Sequence, residues 1–382
     1  MSSPDRFRVL FLASRDPEHP EAAGGDIQLS ALAEHLAKRG HAVTYTCVAR
    51  PGAAAEEVRN AVRILRGGDS LTQALWVGRM YKRSLAWQAD VVIEEAIGGL
   101  RVPYLAPLYV RRPLIAFWYQ HQAPLLREEF APPVAAVLAH LERRLAQLHR
   151  RAMIATPSAF QAERLQLLGF RPQQIHVVPC GLDWPIASPP PLMAREPLVV
   201  YLGKLRRYKC PHHLLDVVER LRAAVPGIYV VIAGRPDGTG FDRWIEAEIR
   251  RRGLRGEVAV RRSIGEEEKR DLLRRARVLV LPSPTEGFGI AALEAHRCGT
   301  PTVVTDGVPT EVVQDGVNGL RVAFGNREQL AAAVHRLLTD DVSWVRMSLT
   351  AWEMSQQYTW SNGAAKLERL IADSVGRTVG VI

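Results

Sequence analysis

Short runs of β-branched and aliphatic residues alternate with helical patterns along the whole chain, and that alternation restricts its fold more than anything else. In the first half, residues 8–13, 41–48, 89–94, 113–121, 153–158 and 175–181 read as strands. Between them, residues 26–38, 70–87, 134–150 and 159–168 repeat at helical spacing. Such alternation folds as parallel sheet with helices on both faces. The pattern breaks where Pro185, Pro189, Pro190 and Pro191 can continue neither a helix nor a central strand. It restarts with strands at 198–203, 228–234, 258–262, 278–282, 301–305 and 319–322. The 382 residues suffice for two cores. We therefore expect an α/β protein of two doubly wound, Rossmann-like domains: 1–183, a linker at 184–196, and 197–359, followed by a last helical segment, 360–382.

The most informative segment follows the run 278–282. It reads Pro284-Thr285-Glu286-Gly287-Phe288-Gly289-Ile290 and leads into a helical pattern at 290–298. Strand, glycine-rich turn and helix together aim unpaired backbone N–H groups and a helix dipole at an anion, most often a phosphate. Glu294 follows Glu286 after seven residues, two turns along if both are helical, so the two carboxylates are expected to face one cleft. A phosphate cradle between two carboxylates suits a ligand with a diphosphate and several hydroxyls, such as a sugar nucleotide. Two other segments join it. Gly24-Gly25 stands at a strand-to-helix turn, where glycine permits close backbone approach, although a purely structural turn reads equally well. Gly203-Lys204-Leu205, with Lys209 beyond, opens the second domain with cations.

Taken in order, these motifs resemble the retaining glycosyltransferases of the two-domain GT-B fold, specifically glycosyltransferase family 4 with its Glu-x7-Glu motif. The resemblance runs over nearly the whole chain. It implies two domains facing across a cleft, acceptor on the first and donor on the second, with the terminal helix crossing back to the first domain. It implies that Gly24 and Gly25 lie against the donor diphosphate, clamped by Lys204 and Lys209 and by the backbone of Gly287, Phe288, Gly289 and Ile290. Lys204 stands where the family carries Arg, which keeps the charge but loses the bidentate fork; Arg206 or Arg207 is the expected compensation. Glu286 and His121 are implied at the hexose as catalytic residues, Glu294 at the ribose, and Gly234 and Arg262 near the nucleoside. Ser263 stands where a glycine is usual.

The resemblance implies transfer of a hexose, from UDP- ahead of GDP-sugars, to a hydroxyl of a small-molecule or natural-product acceptor. A lipid-headgroup acceptor, or a phosphorylase or sugar-nucleotide epimerase, is the alternative. Glu94 and Glu95 end a first-domain strand and read as solvated loop carboxylates, or as contacts for an amino-bearing acceptor. No Asp-x-Asp pair stands near the donor residues, so neither metal nor cofactor is expected. A dinucleotide oxidoreductase is disfavoured because Gly24-Gly25 lacks the third glycine and no acid ends the second strand.

The net charge of +10 fits an Arg-rich surface or peripheral contact with an anionic membrane; no nucleic-acid module accompanies it. The segment 134–151, with Arg143, Arg144, Arg150 and Arg151 among leucines, reads as a surface-binding helix or as an outer helix packing its leucines on a sheet. Cys47, Cys180, Cys210 and Cys298 are scattered, as reduced thiols in a cytoplasmic protein are. Nothing in the sequence fixes an oligomeric state.

Overall fold

The computed structural model describes residues 6–97, 102–184 and 195–379. The chain divides into two compact units. One comprises residues 1–121, 137–181 and 358–382; the other comprises 122–136 and 182–357. Residues 122–136, expected in the first domain, thus group with the second. Most of the proline-rich stretch lies outside the described residues.

The first unit is built on eight strands: β1 (Arg8–Leu12), β2 (Ala42–Cys47), β3 (Glu56–Arg59), β4 (Val62–Arg66), β5 (Val91–Ile97), β6 (Leu114–Trp118), β7 (Met153–Thr156) and β8 (Ile175–Val177). Their order is β3-β4-β2-β1-β5-β6-β7-β8, parallel except for the β3–β4 hairpin. The central strands are mostly apolar because helices cover both faces, with Glu94 and Glu95 of β5 the exception. The helix Gly24–Lys38 sets Leu29, Leu32, Ala33 and Leu36 on the sheet at i, i+3, i+4 and i+7 spacing. The terminal helix Trp360–Val379 adds Ala364, Leu367, Leu370 and Ile371 to the same core. Gly363 permits that docking, since a Cβ there would fall 2.7 Å from the Pro179 carbonyl oxygen.

The second unit has six parallel strands: β9 (Leu198–Leu202), β10 (Tyr229–Gly234), β11 (Val258–Arg262), β12 (Val278–Leu281), β13 (Thr302–Thr305) and β14 (Gly319–Val322). Their order is β11-β10-β9-β12-β13-β14. The chain steps outward from β9 to β11 and then returns to β12 on the other side of β9. The loops after β9 and β12 therefore diverge at a topological switch point, where open α/β sheets leave a crevice beyond the strand ends. In the first unit the corresponding point lies between β1 and β5. Topology alone has thus selected the loops 203–209 and 282–289, and the ends of β1 and β5.

Candidate functional site

In the second unit the switch point joins two residues far apart in sequence. Lys209 ends a 3-10 turn, Arg207–Lys209, after β9, and Glu286 lies in the loop after β12. Lys209 Nζ donates to both carboxylate oxygens of Glu286, each at 2.7 Å, with the side chains 16% and 14% exposed. Burial opposes the Lys209 ammonium, but Glu286, together with Tyr208 and Cys210, more than offsets it, so its pKa lies above the ordinary lysine value. The loop is pinned by the Glu286 N–H on the Gly307 carbonyl at 2.9 Å. A Cβ on Gly307 would lie 2.2 Å from the Pro284 oxygen, which makes that approach possible only for glycine.

The helix Ile290–Arg297 begins after Gly289, whose φ of +90° makes the N-cap turn. Glu286 precedes this helix, and Glu294 is its fifth residue, so the two carboxylates are not two turns apart on one helix as expected. Each has its own lysine. Lys269, on the helix Glu266–Arg275, places Nζ 2.6 Å from Glu294 Oε1 and 2.7 Å from Glu266 Oε1. Burial raises the Glu294 pKa, and Lys269 opposes that rise. Trp184 lies beside this pair, its ring 5.4 Å from Lys269 Nζ. Phe288 is buried, Gly287 half-buried.

Two expected cations are committed elsewhere. Arg206, expected to compensate for Lys204, holds its Nε on Glu129 at 3.0 Å and Asp237 at 3.1 Å. Arg262 ends β11 paired with Asp242 at 2.7 Å and Glu246 at 2.8 Å, both on the helix Phe241–Arg251. Lys204 is half-buried, and its carbonyl accepts the Tyr201 hydroxyl at 2.9 Å. Gly234 is sterically required, since a Cβ would lie 1.6 Å from the Gly203 oxygen. Ser263, at φ +55°, holds a backbone conformation that suits glycine.

In the first unit, Gly24 and Gly25 are the first two residues of their helix, whose N3 residue Asp26 accepts the Ala23 N–H at 2.8 Å. The Tyr119 ring fits against Gly25, where a Cβ would approach it to 2.8 Å, and its hydroxyl donates to the Gly25 oxygen at 2.9 Å. His121 lies three residues past β6 rather than within it. Its N–H donates to Gln161 at 3.1 Å, and its Nε2 is 3.8 Å from the buried Glu142 carboxylate.

Glu94 and Glu95 are not solvated; both are buried within β5. Glu94 accepts from His149 Nε2 at 2.8 Å and from the Ala106 N–H at 3.2 Å, while Glu95 accepts the Ser14 N–H at 2.8 Å. A charged edge residue became interior because β5 is central and the buried imidazole supplies the compensating charge. On the helix Pro132–Leu148, the buried side carries Ala135, Glu142 and Ala146, while Val134, Val137 and Leu141 are exposed. Of its leucines, Leu145 packs against the core formed by Ala116, Trp118 and Ile154, as one expectation had it, while Leu141 faces solvent.

Two family models match consecutive parts of the chain: Glycosyltransferase Family 4 over residues 23–184 and Glycosyl transferases group 1 over 186–353. The chain belongs to glycosyltransferase family 4. Among relatives of this family 4 chain, the D-inositol 3-phosphate glycosyltransferase of Stackebrandtia nassauensis is 30% identical over 241 residues, covering 59% of this chain and 54% of the relative. The glycogen synthase of Mycobacterium tuberculosis H37Rv is 33% identical over 218 residues, covering 56% and 52%. The chain thus spans about half the length of the relatives it matches. The sucrose-phosphate synthase of Thermosynechococcus elongatus superposes with a TM-score of 0.78 at 20% identity, over 96% of this chain and 99% of that one. Anabaena HepE, in complex with UDP and glucose, superposes at 0.75 and 18% identity over 96% and 100%. The fold is GT-B.

Sequence reading of this family 4 member missed Lys269, Glu142, Glu129 and His149. Each acts through a contact between distant segments, and no local motif marks any of them.

Proposed function

We propose that the chain transfers a hexose, with retention at the anomeric carbon, from a nucleoside-diphosphate sugar to a hydroxyl of a small-molecule acceptor, with UDP sugars ahead of GDP sugars. One observation carries this reading: the switch point of the second unit gathers Lys209, Glu286 and the glycine turn, and Glu294 follows on the helix with its own lysine. In this reading the diphosphate draws Lys209 away from Glu286. The released carboxylate then accepts sugar hydroxyls, and Glu294 accepts those of the ribose. As the bond from the anomeric carbon to the diphosphate oxygen breaks, Lys209, Lys204 and the turn amides stabilise the charge growing on the leaving group. The acceptor oxygen bonds to the anomeric carbon, and its proton passes to the departing phosphate oxygen. His121, oriented by Glu142, holds hexose hydroxyls. Cations and amides carry the diphosphate, so no metal is required.

The test is a panel of UDP, GDP and ADP sugars, scored for slow hydrolysis and thermal stabilisation. A bound donor at a hundred times its Kd stabilises by about 2.7 kcal/mol, a shift of several degrees. A panel without a stabilising or hydrolysed donor overturns the reading.

A further inference from the structure

The helical run that begins at Gln73 turns one side to the first-unit core and the other side to solvent. It comprises Gln73–Met80, a wider turn at Tyr81–Leu85, and Ala86–Gln88. Gln73, Val77, Tyr81 and Leu85, spaced by four, are buried. Offset from them by two, Leu75, Arg79, Arg83 and Trp87 are all exposed, with Lys82 alongside and Leu71 in the preceding turn. Trp87 is 75% exposed, Leu71 72% and Leu75 65%. The segment 102–112 lies beside this run. Tyr109 meets Tyr81 edge-on at 5.6 Å, and Arg112 Nε donates to the Ala86 oxygen at 3.2 Å. That segment exposes Leu108 at 62%, together with Arg111 and Arg112. Neither 70–89 nor 102–112 contains an Asp or Glu. Among the described residues, Arg79, Lys82 and Arg83 enter no ion pair.

We propose that this face docks on an anionic lipid bilayer. Its exposed leucines and indole share one face with Arg79, Lys82 and Arg83; carboxylates border it only at the ends of the run, where Asp69 accepts the Leu71 N–H and Asp90 pairs with Arg8 and attracts Arg112. An indole and aliphatic side chains among cations match the lipid interface, where Trp sits at headgroup depth and Lys/Arg meet phosphates. A second copy on the same face would set cation against cation. Nucleic acid would leave the leucines uncovered.

The experiment is co-sedimentation of the full chain with phosphatidylcholine vesicles, with and without phosphatidylglycerol, at 0.05 and 0.5 M NaCl. Binding is expected only with the anionic lipid, weakening strongly at high salt. The triple variant Arg79→Gln, Lys82→Gln, Arg83→Gln should bind about a hundredfold more weakly, from roughly 1 kcal/mol per cation near the surface. Trp87→Ala with Leu75→Ala should bind at least tenfold more weakly. All altered side chains are exposed, and an unchanged circular dichroism spectrum and thermal midpoint establish that each variant is folded. Leu141→Ala, on the other exposed helix, should bind as the parent does. The proposal is overturned if the anionic vesicles are ignored, if both multiple variants bind like the parent, or if Leu141→Ala alone abolishes binding. It is also overturned if an acidic polypeptide such as polyglutamate is bound while vesicles are not.

Discussion

Glu286 and Glu294 stood out because a glycine turn and a fixed spacing mark them, and Lys209 because it follows the opening strand of the second domain; its pairing with Glu286, and Lys269 altogether, were not legible. On the proposed reading, Glu286→Gln and His121→Ala each lower kcat about a hundredfold or more and leave affinity for the bare nucleoside diphosphate unchanged. Steady-state kinetics beside diphosphate titration checks this; near-normal turnover in either variant removes that residue from the sugar. Glu294→Ala should raise donor KM about ten- to a hundredfold, from the loss of a charged hydrogen bond of about 1.5–3 kcal/mol. Lys269 gives a sharper signature. Burial already raises the Glu294 pKa against the opposing pull of Lys269, so in Lys269→Met the carboxyl holds its proton to higher pH. Donor KM in that variant should be high at low pH and fall as pH rises, over a range shifted upward from the parent's, whereas Lys269→Arg keeps the parent's profile. Parallel profiles for both variants would mean that Lys269 does not act through the Glu294 charge.

Among the elements, the buried parallel strands were easy to read and the β3–β4 hairpin was not. β3 carries Glu-Glu-Val-Arg, too polar to register as strand and so leaving the short Val-Arg-Ile-Leu-Arg of β4 without an apparent partner, and the turn is Asn60-Ala61 where Asn-Gly would have announced a hairpin. Both turn residues have positive φ, +50° for Asn60 and +62° for Ala61. For alanine that conformation costs about 1–2 kcal/mol, while glycine's extra unfolded-state freedom costs about 0.5–1. Ala61→Gly should therefore stabilise by roughly 0.5 kcal/mol, seen as a higher urea midpoint with an unchanged slope; a lower midpoint contradicts it. The terminal helix was legible from its apolar spacing, though not how fully it completes a core. Leu367 is wholly buried, and Leu367→Ala should destabilise by about 2–5 kcal/mol in the same measurement.

At the scale of the whole molecule, buried histidines give the two units opposite responses to pH. In the first unit, burial opposes the charged His149 ring, but its hydrogen bond and attraction to Glu94 prevail and raise the pKa. That contribution is complete below the unfolded value near 6.5 and is lost as pH climbs through the higher folded value. In the second unit, burial lowers His213 and His296 to about 3 each. They stay neutral when folded, so their contribution is lost as pH falls below about 6.5, by up to about 1.4 kcal/mol per pH unit for each. Thermal scans should show His296→Gln reducing the loss between pH 6.5 and 5, and His149→Gln reducing the loss above pH 6.5. Unaltered slopes would deny those residues the titration. One more consequence comes from the chain's path, which passes between the units four times. During synthesis, the ribosome releases most of the first unit's strands long before the segment carrying Ala364, Leu367, Leu370 and Ile371. Until those side chains emerge, the groove they fill on the Gly24–Lys38 helix stays open to solvent, so the half that is translated first is the half that finishes folding last.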